Sequence, residues 1–218
     1  MKRYLSRGFT LVELLIVIAL LGVIATIVIA AINPIEQANR AADAGMKADA
    51  SQLVSALDRY YASHNIFPWN TCSGVGCTPA VAKVDDPLDW VSADAVEVGL
   101  CGTAGSGCRT SATPGELISA LELQTAFLSK SWVGATDITA QLLVGKATGA
   151  SSAVYVCWVP KSNSNRQNLI NSSKTTANKM VDETAEFTTA GVPASSTACD
   201  KVGSVGWKGG TCAECVPE

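Results

Sequence analysis

The chain is predicted to adopt an α+β fold, a long N-terminal helix whose outer half lies against an antiparallel sheet. Three observations lead there. Residues 14–32 carry no ionisable side chain, and beyond Asn33-Pro34 apolar residues recur every three or four positions to about Ser63. Two β-rich runs, 141–144 and 153–159, flank a turn containing Gly and Ser and read as an antiparallel pair. The segment from His64 to Glu218 holds roughly 155 residues, enough for one domain with a core of its own.

The first element is the helix over residues 9–32. Its 24 residues span roughly 36 Å at ~1.5 Å per residue, which suffices for a hydrocarbon layer of about 30 Å. Lys2, Arg3 and Arg7 precede it and no Lys or Arg follows before Arg40. That asymmetry puts residues 1–8 in the cytoplasm and everything after Ile32 across the membrane. Glu13 stands at the lip of the span. A charge within a membrane helix costs about 2.5–3.5 kcal/mol on insertion scales, so it needs a partner; none is expected within the helix itself. A secretory signal has an apolar stretch of only about 7–15 residues. A plain single-span anchor would share the charge asymmetry, but neither alternative accounts for Glu13 or for the Gly8-Phe9 junction.

The basic leader Met1-Lys2-Arg3-Tyr4-Leu5-Ser6-Arg7, then Gly8, Phe9, and Glu13 at the fifth position after the junction resemble the class III signal of type IV pilins and pseudopilins. Residues 53–61 followed by Phe67-Pro68 resemble the corresponding part of those proteins, so the resemblance covers roughly residues 1–68. It implies a pilin-like fold and cleavage after Gly8 by a prepilin peptidase, with N-methylation of Phe9. It also implies self-assembly into a helical filament, served by pilus or secretion machinery, in which the new amine of Phe9 pairs with Glu13 of a neighbouring subunit. The precursor would be a single-pass protein of the cytoplasmic membrane, and the assembled form an extracytoplasmic, cell-surface filament. Cleavage removes three positive charges, which leaves 13 basic against 19 acidic residues and takes the formal charge from −3 to −6. One departure is that the Pro many pilins carry in the apolar stretch is absent, with Ala30 and Ala31 in that region; Gly22 is expected to weaken the helix locally.

The chain thus divides into a leader (1–8), a membrane and filament-core helix (9–32), an amphipathic helical half (33–63) and an extracytoplasmic Cys-rich head (64–218). A bend or restart is expected at Pro34. Met46, Ala50, Leu53, Leu57 and Tyr60 form the apolar stripe, while Glu36 with Arg40 and Asp43 with Lys47 form acid-before-base pairs on another face. His64-Asn65 and Pro68 supply the stop. In the head, residues 116–130 have helical spacing after Thr113-Pro114 and predict one short helix, while residues 161–198 are polar with weak periodicity.

All eight cysteines, Cys72, Cys77, Cys101, Cys108, Cys157, Cys199, Cys212 and Cys215, follow the membrane segment. An even number in an oxidising compartment reads as disulfides. Proximity pairs Cys72 with Cys77, Cys101 with Cys108, Cys157 with Cys199 and Cys212 with Cys215. The Cys212-Ala213-Glu214-Cys215 motif could instead be half a zinc site or a redox pair, but the second half and the helix opening that these need are not evident.

Asp85, Asp86, Asp89 and Asp94 form a cluster of hard oxygen ligands suited to calcium, which major pseudopilins hold in a head loop. It lacks the Gly and terminal Glu of an EF-hand, and a solvated acidic loop explains it as well. The sequence presents no catalytic constellation. His64 is the single histidine and sits where a helix C-terminus favours it, and Gly74-Val75-Gly76 lacks the third Gly of a dinucleotide turn. The acidic mature chain scatters its basic residues, so nucleic-acid binding is not indicated. Five tryptophans read as core by default. The functional expectation is a structural, non-enzymatic filament subunit. The alternatives are the major pseudopilin of a type II secretion system and a monomeric membrane-tethered binding domain that retains residues 1–8.

Overall fold

The computed structural model describes residues 8–31, 33–71, 88–102, 108, 114–147, 152–173, 181–182, 199, 201–209 and 212–217. The chain forms two compact units, Met1–Ala38 and Asn39–Glu218.

In the first unit, helix α1 (Leu11–Ala31) has no polar face. A helix apolar all round needs an apolar surround. Residues 11–29 are long and apolar enough to cross a membrane, and none of that stretch is buried within the protein. Thr26, the only hydroxyl in the helix, donates Oγ1 to Val23 O at 2.7 Å and so hides its polar hydrogen against its own backbone. The helix passes unbroken through Gly22, where propensity alone costs about 1 kcal/mol relative to Ala. Helix α2 (Pro34–His64) then restarts as Pro34 predicts. Pro34 takes the first helical position, where its missing N–H is no loss. Asn33 caps the helix, its Oδ1 accepting from Glu36 N at 3.2 Å and its carbonyl from Gln37 N at 3.3 Å.

The second unit is built on the rest of α2. Ala50, Leu53, Ala56, Leu57 and Tyr60 are buried and Met46 packs beside them, so the expected stripe is the face that meets the core. The helix stops because Asn65 takes φ 61°, a left-handed conformation that Asn tolerates, while its N–H closes on Tyr61 O at 2.7 Å. A short α3 (Pro68–Thr71) follows.

The sheet contains β1 (Leu88–Ser92), β2 (Leu142–Lys146), β3 (Val154–Trp158), β4 (Val181–Asp182) and β5 (Cys212–Val216), in the order β1-β2-β3-β5-β4 with every pair antiparallel. The β2–β3 register sets Leu142 opposite Trp158, Val144 opposite Val156 and Lys146 opposite Val154. Side chains alternate between faces, so Leu142, Val144, Val154, Val156, Trp158 and Val216 share the face that joins the α2 stripe in one core. Lys146 lies on that face at the far end, fully buried, with Nζ 5.4 Å over the Phe67 ring and donating to Ala147 O at 3.0 Å. At the opposite end Trp158 pairs with Glu214, whose carboxylate meets Lys47 at 3.5 Å. The sheet therefore runs alongside α2 from the level of Lys47 to that of Phe67.

Polar contacts fix α2 in place. Asp43, expected on an exposed face, is buried instead, because its carboxylate accepts from Lys161 N, Ser162 N and Asn165 Nδ2 at 2.7, 2.9 and 2.8 Å. Asp49 accepts from Lys130 Nζ at 2.7 Å and Trp132 Nε1 at 3.1 Å. Ser162 in turn caps a helix over the polar stretch that the sequence left undefined, α5 (Asn163–Ser173), through Asn165 N.

The single helix expected over residues 116–130 is two shorter pieces. Helix α4 (Glu116–Ser119) starts after Gly115, and a 3₁₀ turn covers Thr125–Ser129. The break is at Leu121, with φ 63°, where Glu122 N and Leu123 N both turn back to Leu117 O. A left-handed residue with a Cβ costs about 1–2 kcal/mol. The start moves from Thr113-Pro114 to Gly115 because the backbones touch there: a Cβ at Gly115 would lie 2.2 Å from Gly99 O.

The disulfides depart from the expected pairing in two of four cases. Cys101–Cys108 forms as expected, whereas Cys157 joins Cys215 and Cys199 joins Cys212; Cys72 and Cys77 lie outside the described residues. Strand parity is the reason. Cys212 and Cys215 are three positions apart on β5 and so point to opposite faces. Cys215 stands directly opposite Cys157 on β3, and Cys212 faces a satellite core with Cys199, Val159, Leu169, Ile170 and Trp207. Each bridge stabilises by about 2–4 kcal/mol. The expected core tryptophans Trp69, Trp132, Trp158 and Trp207 are buried, and Trp90 is partly so.

Two outcomes are predicted. Leu57→Ala, at a fully buried position, lowers the head's unfolding free energy by about 2–5 kcal/mol in denaturant titration of the oxidised protein. Cys212→Ser leaves Cys199 as the new alkylatable thiol and Cys215 protected, as read by peptide mass after alkylation without reduction; labelling of Cys215 would restore the proximity pairing.

Candidate functional site

The residues singled out at the N-terminus come together at the start of α1. Gly8 and Phe9 precede the helix in non-helical backbone, and both are exposed, Phe9 at 76%. The bond between them is open to a peptidase. A Cβ at Gly8 would meet nothing within 4 Å, so any demand for glycine there belongs to the processing enzyme and not to packing in this chain.

Glu13 is partnered within its own chain, which corrects the expectation that the N-terminal segment offers it nothing. Thr10 is the residue just before α1, and Glu13 is the third residue of the helix. Thr10 N and Thr10 Oγ1 donate to Glu13 Oε2 at 2.9 and 2.8 Å, and Glu13 N donates back to Thr10 Oγ1 at 3.2 Å. This reciprocal arrangement is a capping box, which satisfies two of the orphan donors at a helix start. The signal was legible as Thr-x-x-Glu before an apolar run, and the charge argument passed over it. The contact also divides the carboxylate. Oε2 is held by Thr10, whereas Oε1 has no partner among the described residues. Glu13 is thus oriented by neutral donors with one oxygen left for a cation from outside the helix.

The other candidates serve packing. Asp85 and Asp86 lie outside the described residues, and Asp89 belongs to β1. Asp94 is buried and its carboxylate is taken up by Ser92 Oγ and by Gly134 N, the latter at 2.7 Å. Among the described residues no three His, Cys, Asp or Glu side chains are grouped to hold a metal. His64 places Nδ1 3.2 Å from Tyr60 O and stacks on the Tyr60 ring at 4.2 Å, closing the last turn of α2. The Cys212 to Cys215 motif is a strand with both thiols in separate disulfides. A cleft of about 400 Å³ between α2 and α5 has Asp43, Lys47 and Glu214 in its wall, all engaged in the contacts given above.

Residues 3–29 match the prokaryotic N-terminal methylation motif. The chain therefore carries the prepilin-type cleavage and methylation signal, and it is made as a membrane-anchored precursor. That signal is the one used by type IV pilins and pseudopilins, which are processed by a prepilin peptidase and handled by membrane assembly machinery. No curated protein and no solved structure matches the chain.

Thr10→Val removes both side-chain bonds of the capping box. It is expected to destabilise the first turn of α1 by about 0.5–2 kcal/mol, seen as faster amide exchange at residues 11–13 in micelles, with the rest of the helix unchanged.

Proposed function

We propose that the chain is the structural subunit of a helical surface filament of the type IV pilin kind, cleaved after Gly8, methylated on Phe9 and assembled through its apolar helix. It catalyses nothing itself. The observation that carries this reading is Glu13. The methylation motif supplies a free amine at Phe9, and the capping box leaves Oε1 of Glu13 open to such a cation from the next subunit. A charge-assisted contact of this sort is worth about 1.5–3 kcal/mol, and in an otherwise uniform apolar bundle it would be the one polar feature that sets register. The exposure of α1 on every side fits a helix that passes from lipid to the helices of its neighbours.

Two measurements test the reading. The intact mass of the mature protein is expected to correspond to a chain that begins at Phe9 with a methylated amine; a start at Met1, or near Ala31, sinks the filament reading and favours the tethered monomer. Glu13→Val is expected to leave processed subunit in the membrane while lowering the yield of sheared filaments by at least about tenfold, the equivalent of one such contact. Normal yield from that variant would show that apolar packing alone sets the register. The major pseudopilin shares the signal and the anchor; deletion of the gene separates the two, with loss of surface filaments for a pilin and loss of protein secretion for a pseudopilin.

A further inference from the structure

Two large apolar side chains stand almost fully in solvent on the described part of the head: Leu121, 90% exposed, and Val205, 82% exposed. Neither position is a loose end. Leu121 is held at φ 63° by the paired bonds of Glu122 N and Leu123 N to Leu117 O, at 2.9 and 3.1 Å. Arg59 braces the same turn, its Nε and Nη2 donating to Glu122 Oε2 and Glu122 O at 2.8 and 2.7 Å. Glycine or asparagine is the usual occupant of such a backbone. A leucine is found where both the backbone and the solvent favour another residue, and an outlier of this kind points to function. Beside it Ile118, Leu123 and Ala126 line a recess of about 350 Å³. Val205 opens α6 (Val205–Gly209), which is anchored by the fully buried Trp207 and packs against the turn Ile138–Ala140, where Ile138 is 38% exposed.

The two patches lie at different levels along α2. The turn at Ile138 leads into Leu142, which pairs with Trp158, which pairs with Glu214, whose carboxylate faces Lys47. The helix α6 runs into the same end of the sheet, at Cys212. Leu121 belongs instead to the level of Arg59. From Lys47 to Arg59 the helix rises about 18 Å at ~1.5 Å per residue. Two unlike patches so displaced do not meet within one copy, and a two-fold dimer would bring each only to itself. Copies displaced along the α2 axis bring one patch to the other, and a contact between unlike surfaces that does not close on itself builds an open filament.

We propose that Leu121 of one copy seats against Val205 and Ile138 of the next, as the head-to-head contact of the assembly. This rests on the filament reading. The test uses the full chain expressed in its host with the assembly machinery, reading sheared-filament yield beside the mature subunit in the membrane. Leu121→Gly suits the backbone and removes only the knob; it is expected to keep the parent's protease resistance and non-reducing mobility yet to lower filament yield about tenfold, as loss of an interface anchor does. Leu121→Lys and Val205→Glu are each expected to do the same, and together to recover filaments that fall apart as salt is raised. Parent-like yield from Leu121→Gly and from both single charge variants overturns the contact, and so does a double variant no better than either single one. Absence of filaments from the parent chain overturns the filament reading beneath it, an outcome distinct from normal parent filaments that ignore the substitutions.

Discussion

The head depends on one packing contact, the apolar stripe of α2 laid on the core face of β2, β3 and β5. Ala50, Leu53, Ala56 and Leu57 have no exposed surface, and the strand residues that meet them are equally closed off. At roughly 25 cal/mol per Å² of apolar surface removed from water, this contact supplies what a loop-rich head of this size could not obtain from its connections. The disulfides and the satellite core around Trp207 then secure segments that have little apolar surface of their own.

Burial sets which face of α2 turns inward but not how far the helix slides along the sheet. The polar contacts do that. Asp43 holds the backbone at Lys161 and Ser162, Asp49 holds Lys130 and Trp132, Arg59 holds Glu122, and Tyr60 OH reaches Glu116 at 2.9 Å. These residues follow one another along the helix and each reaches a different segment of the head. A buried carboxylate without its donors is costly, so a shift by one turn would leave several groups unpaired at once.

At the other end of the chain the same economy of polar groups governs α1. Inside lipid each unpaired donor is expensive, and Thr10 and Glu13 satisfy each other where the helix begins, as Thr26 does with its own carbonyl. Glu13 thereby becomes an oriented group and not merely a tolerated charge. The prepilin-type signal explains why the carboxylate is present, and the capping box explains how it is held.

The sequence by itself determined what local chemistry specifies. Uniform apolarity announced α1, 3.6-residue periodicity announced the core face of α2, Asn33-Pro34 announced its start and Asn65 its end, and β-branched runs announced β2 and β3. The cleavage junction and Glu13 were legible for the same reason, since a peptidase signal is read along the chain. Thr10 was legible too, as the first letter of a capping box. What only the tertiary structure decided were features set by residues distant in sequence. Cys215 found Cys157 because the β3–β5 register puts them opposite, 58 positions apart. Residues 116–130 read as one helix, and what divides them is a turn at Leu121 braced by Arg59 from another element. Asp43 looked like one member of a surface pair until the N-terminus of α5 arrived to bury it. Periodicity reports how a segment treats water; it carries no information on which distant segment will replace that water.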